Sequence, residues 1–316
     1  MSFSFRFILL LGFILTNLIS TSHCFQPTIQ QGGLVNTNNG IFSTMGHKNQ
    51  LLLRGSASST EGIPSKKRCI EVEEKFSLSE LDINVFVDKL STMGFVKGTE
   101  NVEFMDWYFD LPDPDWVLSL SDNWLRFREL IRVNEEDKSD GSWQMKCGTQ
   151  IHNDNSGTTV YEELEGDEAI NMAMSIIKDK TYSTVNTRSE TLMDGYVIPS
   201  LPINADKSGL TPFARIKTTR SSWIFKDKDD TTNNLNIDID VTDFGYLVGE
   251  VEQVVESEEE VSVSKLRIQK VIEQITDASN YNNNGPALGK LELYMIRNRK
   301  QHFEECVRHG VMKNKK

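Results

Sequence analysis

Hydrophobic and polar positions alternate along much of the chain from about residue 68 onward. Side chains of a β-strand point to opposite faces with a period of two, so this alternation predicts strands. The predicted strands span residues 68–76, 104–109, 124–131, 142–147, 158–164, 213–226, 235–241 and 246–255. Polar, turn-forming segments such as 113–115 and 137–141 separate them. The pattern therefore predicts a large sheet with several antiparallel strands.

Helical spacing of apolar residues is found in three other segments, residues 79–93, 167–178 and 263–275. Residues 184–212 are polar and irregular, which predicts a loop or an insertion, and residues 288–297 predict a strand or a short element. Helices inserted between antiparallel strands indicate an α+β protein with a large sheet, which can be closed on itself.

The first part of the chain has the features of a targeting segment. Arg6 precedes an apolar run over residues 7–15 that is short for a bilayer span, which predicts a signal peptide at residues 1–24. A retained membrane anchor is the alternative. Residues 25–66 contain a single acid and many hydroxyl and amide side chains, the composition of a transit peptide.

A signal peptide followed by Phe25 and a transit-like stretch resembles the bipartite plastid addresses of algae with complex plastids. We therefore expect the mature protein in a plastid, with the secretory pathway or the cell exterior as the alternative. The expected folded domain spans residues 67–305 and is followed by a basic tail at residues 306–316. No stable membrane association is expected after processing, and we expect a monomer.

The formal net charge of the chain is −12. A field of that sign repels polyanions, so nucleic acid is not an expected partner. An anionic substrate would need a locally basic cleft, a bound cation, or both. The four cysteines lack the spacing of a metal site, which predicts that those of the mature domain are free thiols.

The charged residues of the predicted strands are sorted by sign. Glu71, Glu73 and Lys75 share one strand face. Along the chain the acids are Glu71, Glu73, Asp238, Asp240, Glu250 and Glu252, and the bases are Lys75, Arg126, Arg128, Lys146, Arg220 and Lys290. Such residues can form a solvated outer face with weak salt bridges. If their apolar neighbours pack against helices, however, the charges face the lumen of a closed barrel.

A lumen with both signs of charge has a specific chemical use. Arg and Lys side chains bind phosphate oxygens, whereas Mg²⁺ and Mn²⁺ prefer carboxylate oxygens and water. Acids alone would favour a bare cation, and bases alone would favour a simple anion. The two together suit a complex of a divalent metal with a polyphosphate.

Several motifs resemble those of the CYTH superfamily, the triphosphate tunnel enzymes. Residues 71–75 match the pattern E-x-E-x-K, and residues 124–129 match a strand with the pattern L-R-x-R. Further similar blocks follow in the family's order at residues 107–110, 143–147, 161–164, 219–223, 238–240, 243–252 and 287–291. The resemblance covers residues 68 to 305 and is greatest to animal-type thiamine triphosphatases.

The resemblance implies an eight-stranded antiparallel closed β-barrel, the triphosphate tunnel, with helices packed outside it. It also implies roles for the charged residues. The implied phosphate ligands are Lys75, Arg126, Arg128, Lys146, Arg220 and Lys290, with Glu163 as a further tunnel acid. The implied metal ligands are Asp238, Asp240, Glu250 and Glu252, with Glu71 and Glu73 for a second metal or the attacking water. The metal would be Mg²⁺, or alternatively Mn²⁺.

The implied activity is metal-dependent hydrolysis of thiamine triphosphate, with Glu71, Glu73, Lys75 and Lys146 in catalytic positions and Trp124 stacked on the heterocycle. Trp124 can instead be an ordinary core or rim aromatic residue. The same fold allows a general tripolyphosphatase or nucleoside triphosphatase, an adenylyl cyclase, or a non-catalytic polyphosphate-binding module. In each case the partner is a small-molecule triphosphate.

Overall fold

The computed structural model describes residues 69–78, 83–98, 100–131, 141–149, 157–179, 192–193, 195–202, 208–225, 234–276 and 287–313. All of them lie in one compact unit, Lys67–Lys316. The targeting segments expected at residues 1–66 lie outside the described residues. No helix in the described part of the chain combines the length and the apolar character needed to cross a membrane.

Eleven strands and five α-helices make up the described fold. The strands are β1 (Ile70–Ser77), β2 (Val96–Lys97), β3 (Val102–Asp110), β4 (Asn123–Leu130), β5 (Gly141–Gly148), β6 (Thr159–Glu165), β7 (Leu192–Met193), β8 (Tyr196–Val197), β9 (Thr211–Phe225), β10 (Leu235–Thr242) and β11 (Leu247–Val255). The helices are α1 (Ile83–Thr92), α2 (Asp167–Asp179), α3 (Glu258–Ile275), α4 (Lys290–Asn298) and α5 (Lys300–Arg308), and a short 3₁₀ turn covers Ser119–Ser121.

Eight long strands form a closed antiparallel barrel. Their order is β10-β11-β1-β6-β5-β4-β3-β9, and pairing of β9 with β10 closes the ring. A tight turn connects β10 with β11, and a longer segment that contains the 3₁₀ turn connects β3 with β4. Strand β1 lies between strands that are distant in sequence, β6 and β11. The short strand β2 pairs in antiparallel orientation with the last part of β9, and β7 pairs with β8 in a separate hairpin. The predicted eight-stranded closed barrel is confirmed.

The period of two separates the two faces of the barrel wall. On the outer face, Phe76 of β1 and Val251 of β11 pack with Ile268 of α3 in one apolar cluster. On the other side of the barrel, Leu125 of β4 packs with Ile170 of α2 in a second cluster. Burying each such side chain contributes about 1.5–3 kcal/mol. Since the apolar positions are covered by helices, the alternate charged positions must face the lumen.

The last two helices pack at one end of the barrel. Tyr294 and Met295 of α4 and Phe303 of α5 contact Tyr108 and Ile216, which share the lumen face of β3 and β9. Helix α4 begins after Gly289, whose N–H donates to the Glu292 carboxylate at 3.2 Å. These helices cover that end of the lumen.

Two segments differ from the sequence-based expectation. Residues 288–297 were expected to form a strand or a short element, and the structure has the helix α4, because their apolar side chains face one side of a helix that packs on the barrel end. The expected domain end at residue 305 falls inside α5, and Cys306 of that helix is fully buried. The irregular segment 184–212 contains the short hairpin of β7 and β8.

Candidate active site in the tunnel

Three acids of β1 and β11 meet inside the barrel. The antiparallel register of these strands places Glu73 directly opposite Glu252, and Glu71 lies two residues away on the same face. One carboxylate oxygen from each of Glu71, Glu73 and Glu252 lies within 4.8 Å of the other two. Glu71 and Glu73 are buried, so water screens their mutual repulsion only weakly.

The electrostatics of this cluster fit a divalent cation. Burial, opposed in part by Lys146, raises the pKa of Glu71 to about 7. Burial together with the nearby charges of Glu71 and Asp238 raises the pKa of Glu252 well above its ordinary value. Three carboxylates in this arrangement are stabilised by a cation, and carboxylate oxygens are the ligands that Mg²⁺ prefers. Glu71, Glu73 and Glu252 would therefore hold the metal.

Two lysines border the acidic cluster. Lys146 of β5 forms ion pairs with Glu71 and, at 2.9 Å, with Glu73, and it lies 3.8 Å from Glu163. Lys75 pairs with Glu73 and lies 3.8 Å from Glu250. Burial alone would raise the pKa of Glu73, but the charges of Lys146 and Lys75 hold it well below its ordinary value. Both lysines are thus charged and point into the lumen.

A second charged cluster lies where β9 and β10 close the barrel. Arg220 forms a bidentate pair with Asp240, with both nitrogen–oxygen distances at 2.7 Å, and it also pairs with Asp238 and, at 3.2 Å, with Glu250. Lys290, the first residue of α4, also pairs with Asp240, through the Oδ2 oxygen that accepts from one of the Arg220 nitrogens. Asp240 is fully buried between these two bases, which lower its pKa despite the opposing effect of burial.

This arrangement divides the acids differently from the sequence-based prediction. The residues expected to bind the principal metal were Asp238, Asp240, Glu250 and Glu252, with Glu71 and Glu73 as a second group. The described structure instead groups Glu71 and Glu73 with Glu252. The reason is cross-strand register, since Arg220 lies directly opposite Asp240 and Glu250 directly opposite Asp238. Asp240 in particular pairs with two bases, Arg220 and Lys290, and is not part of the carboxylate cluster.

Asp106 is a tunnel residue that the sequence reasoning missed. It accepts two hydrogen bonds from Arg128, both at 2.7 Å, and lies 4.0 Å from Arg126. Burial opposes its ionisation, but Arg128 and Arg126 outweigh that effect and lower its pKa to about 2. A single acid within the apolar run Phe104–Phe109 was the available signal, because a buried charge requires a partner.

Phe104 was missed as well. Its ring lies beside three of the predicted phosphate-binding bases. The ring centre is 4.0 Å from the guanidinium carbon of Arg128, 5.4 Å from the guanidinium carbon of Arg220 and 5.4 Å from the Lys290 nitrogen. An aromatic face attracts such cations and helps to hold them side by side. A lone Phe on an apolar strand gives no sequence signal for this role.

The other predicted residues also face the lumen. Arg126 is oriented by Gln144, because its Nε donates a hydrogen bond to the Gln144 side-chain oxygen at 2.9 Å. The Arg126 guanidinium also lies 3.9 Å from the Glu163 carboxylate. Trp124 is half-buried and lies opposite Lys146 across the β4–β5 pair. Its ring nitrogen donates to Asp122 at 3.0 Å. The barrel therefore brings all of the predicted site residues to its interior.

A separate polar network fastens α5 to the barrel. Ser119 donates to Asp110 at 2.6 Å, and its hydroxyl also lies 2.6 Å from Nε2 of His302. His302 stacks on Trp116 with ring centres 4.4 Å apart. The sequence reasoning did not identify this network, because its members come from three distant segments.

The fold and the lining together define a class of protein: a closed antiparallel β-barrel whose lumen is lined by bases and contains a carboxylate cluster suited to a divalent metal. The CYTH domain family model matches residues 69–277. The chain belongs to this family. The resemblance inferred from the motifs is thereby confirmed.

Two curated relatives show where within the family the similarity lies. The chain is 30% identical over 247 residues to a thiamine-triphosphatase of Homo sapiens, a match that covers 75% of this chain and 89% of the relative. It is 28% identical over 246 residues to the thiamine-triphosphatase of Macaca fascicularis, with the same coverage. Among solved structures, the PH1819 protein of Pyrococcus horikoshii OT3 aligns with 72% of this chain and 99% of its own, with 16% identity and a TM-score of 0.42.

Proposed function

We propose that this protein hydrolyses thiamine triphosphate to thiamine diphosphate and inorganic phosphate with the help of Mg²⁺. Membership of the CYTH family and similarity to thiamine-triphosphatases support a triphosphate-hydrolysing enzyme. The observation that carries the proposal is the lining of the tunnel, in which six bases surround a lumen that also holds a cluster of three carboxylates. A polyphosphate with its metal matches both parts.

The bases would bind the phosphate oxygens. Arg128 and Arg220 each present a planar pair of N–H groups to a carboxylate, at 2.7 Å per bond. A phosphate group has oxygens at similar spacing and can take the same geometry. Lys75, Lys146 and Lys290 add point charges, so the charge that develops in the transition state is met by fixed donors.

The acids would hold the metal and the attacking water. The chemistry that Mg²⁺ would supply when bound is partial neutralisation of the phosphate oxygens and a lowered pKa of a nearby water. Burial raises the pKa of Glu71 to about 7, so this carboxylate can take the proton of the attacking water near neutral pH when it is not bound to the metal. The water oxygen attacks the terminal phosphorus, the bond to the bridging oxygen breaks, and thiamine diphosphate leaves.

A substrate panel tests this function. Phosphate release from thiamine triphosphate, tripolyphosphate and ATP is measured with Mg²⁺, Mn²⁺ and Ca²⁺. We expect the highest kcat/KM for thiamine triphosphate with Mg²⁺. A kcat/KM no higher than that for tripolyphosphate or ATP would contradict the narrow assignment, and formation of cyclic AMP from ATP would indicate a cyclase.

A general tripolyphosphatase is the second candidate. It is favoured by one observation: the phosphate-binding residues form a complete set without any contact from Trp124, whose described hydrogen bond is to Asp122. Under this alternative, Trp124→Ala leaves tripolyphosphate hydrolysis unchanged and no substrate with a heterocycle is preferred.

A further inference from the structure

Asp122 has an unusual backbone conformation. It directly follows the 3₁₀ turn Ser119–Ser121 and precedes β4, with φ of 55° and ψ of 41°. Among the described residues it is the only one other than glycine with a positive φ. This left-handed region is strained for most side chains, although Asp and Asn tolerate it best. The conformation directs the Asp122 side chain back over β5.

Gly148 provides the space for that side chain. The Gly148 N–H donates to the Asp122 carbonyl oxygen at 2.7 Å. A Cβ atom on Gly148 would lie 2.0 Å from Oδ2 of Asp122, so any larger residue would displace the carboxylate. The carboxylate therefore lies against bare backbone, at a lumen-facing position of β5 that lacks a side chain.

The same carboxylate fixes the indole of Trp124. Oδ1 of Asp122 accepts the hydrogen bond of the indole N–H at 3.0 Å. Tyr161 lies directly opposite Gly148 on β6, and the Asp122 charge contributes, after burial, to raising the pKa of the Tyr161 hydroxyl. Trp124, Asp122 and Tyr161 thus surround one position at the end of the tunnel lining.

This position is next to the phosphate-binding bases. Lys146 lies directly opposite Trp124 in the β4–β5 register, and its nitrogen is 5.6 Å from the centre of the Tyr161 ring. A group attached to a phosphate that Lys146 binds would therefore lie against the indole and the Asp122 carboxylate.

The negative charge of Asp122 indicates which kind of ligand fits this position. The buried acids of the lumen, such as Glu71 and Asp238, pair with bases or cluster together, whereas among the described residues no Lys or Arg forms an ion pair with the half-buried Asp122. A carboxylate beside a polyphosphate repels it. The arrangement is favourable only if the ligand brings a positive charge to this position. Aromatic faces beside a carboxylate attract cations.

We propose that Asp122 is a positioning and specificity residue, which orients Trp124 and, with Trp124 and Tyr161, selects triphosphates attached to a cationic heteroaromatic ring. This inference rests on the proposed triphosphate hydrolysis and adds how the organic group is recognised. The thiazolium ring of thiamine carries such a charge, whereas tripolyphosphate has no ring and the adenine of ATP is neutral.

Three variants separate charge from orientation. Asp122→Asn keeps the left-handed backbone and an acceptor for the indole N–H but removes the charge. Asp122→Gly keeps the backbone conformation and removes both functions. Ser121→Ala is the matched control, because it removes a hydrogen bond of the same turn, from Ser121 to the Val117 carbonyl, and leaves the Asp122 carboxylate in place.

The variants are compared by KM and kcat for thiamine triphosphate and for tripolyphosphate. We expect Asp122→Asn to raise the KM for thiamine triphosphate about fivefold with kcat nearly unchanged, since a charge interaction is lost. The KM for tripolyphosphate should fall or stay the same, because a repulsive charge is removed. Asp122→Gly should raise the KM for thiamine triphosphate more than Asp122→Asn, and Ser121→Ala should change neither KM.

A fall in KM for both substrates in Asp122→Asn would overturn the proposal, since the carboxylate would then only repel polyphosphate. An unchanged KM for thiamine triphosphate in both Asp122 variants would overturn it too. If Asp122→Gly fails to fold, Asp122→Asn still decides the question of charge. Wild-type protein that hydrolyses no triphosphate would contradict the proposed function itself, whereas normal wild-type preference with unaffected variants contradicts only the role of Asp122.

Discussion

Lys75 lies between two carboxylates at the acidic end of the lumen. It pairs with Glu73, and its nitrogen is 3.8 Å from Glu250. Burial opposes its charge, but Glu73 and Glu250 outweigh that effect and raise its pKa. A cation fixed in this way is preorganised to stabilise charge on a phosphate group.

We expect Lys75→Ala to lower kcat/KM for the preferred triphosphate by about a hundredfold or more, because a preorganised charge contact to the transition state is lost. The matched control is Lys217→Ala. Lys217 is a partly exposed base that pairs with Glu103 at 2.9 Å, and its loss should change activity less than about twofold. Circular dichroism checks that both variants fold. Normal turnover by folded Lys75→Ala would contradict the tunnel assignment.

At the scale of residues, the sequence predicted which side chains face inward better than it predicted their partners. Glu71, Glu73 and Lys75 alternate on one strand, so their common face follows from the period of two. Asp106 was missed, because its partner Arg128 is on a neighbouring strand and the contact depends on register. Asp122 was missed because a left-handed residue gives no periodic signal.

At the scale of elements, helix α5 is fastened by a buried polar network. His302 contacts Ser119 and stacks on Trp116, and burial lowers its pKa to about 4, so it stays neutral at physiological pH. Helices α4 and α5 share the apolar cluster at the end of the barrel. Because α4 begins with Lys290, the anchoring of α5 also supports a base that is proposed to bind phosphate.

We expect His302→Ala to lower the free energy of unfolding by about 2–4 kcal/mol, through the loss of the buried ring and its hydrogen bond. The measurement is the urea denaturation midpoint. Lys300→Ala is the control in the same helix. It removes an exposed pair with Glu304 at 3.8 Å and should cost less than about 0.5 kcal/mol. Equal midpoints for the two variants would show that the network does not stabilise α5.

The strands were predicted more accurately than the last helices. The alternation in β4 and β5 is regular, and the observed bounds differ from the predicted ones by a residue or so. Residues 288–297 are short, so periodicity alone could not distinguish a helix from a strand. Packing of Tyr294 and Met295 on the barrel end decided the helix.

At the scale of the whole molecule, closure of the barrel creates the carboxylate cluster. Glu73 and Glu252 are 179 positions apart in the numbering and become neighbours only when β1 pairs with β11. A metal that binds this cluster binds the folded state and not the unfolded chain, so it stabilises the fold.

We expect Mg²⁺ at 100 times its Kd to raise Tm by about 5–10 °C at pH 8. The unfolded-state pKa of Glu71 is 4.5 and its folded-state pKa is about 7, so below pH 7 the metal must displace a proton. The same Mg²⁺ concentration should therefore give about half that rise at pH 6. Thermal melts of wild type and Glu71→Gln provide the check. Equal shifts for the wild type at both pH values would contradict metal binding at Glu71.

The expectations for plastid targeting, for a monomer and for the lack of nucleic-acid partners stay predictions. The net charge of −12 supports the last of them, since a polyanion meets repulsion before it reaches the local bases of the tunnel. Light scattering on the purified chain, and localisation of a fluorescent fusion that retains residues 1–66, would measure the other two.

The sequence by itself determined the strands, the face that each charge occupies and the family of motifs, because strand alternation and short motifs are local properties of the chain. Only the tertiary structure decided which charges meet. In the folded chain, Glu71 and Glu73 cluster with Glu252, and Asp240 pairs with Arg220. Asp122 packs against Gly148 and accepts a hydrogen bond from Trp124. Those contacts depend on cross-strand register and on closure of the barrel, which relate residues far apart in sequence.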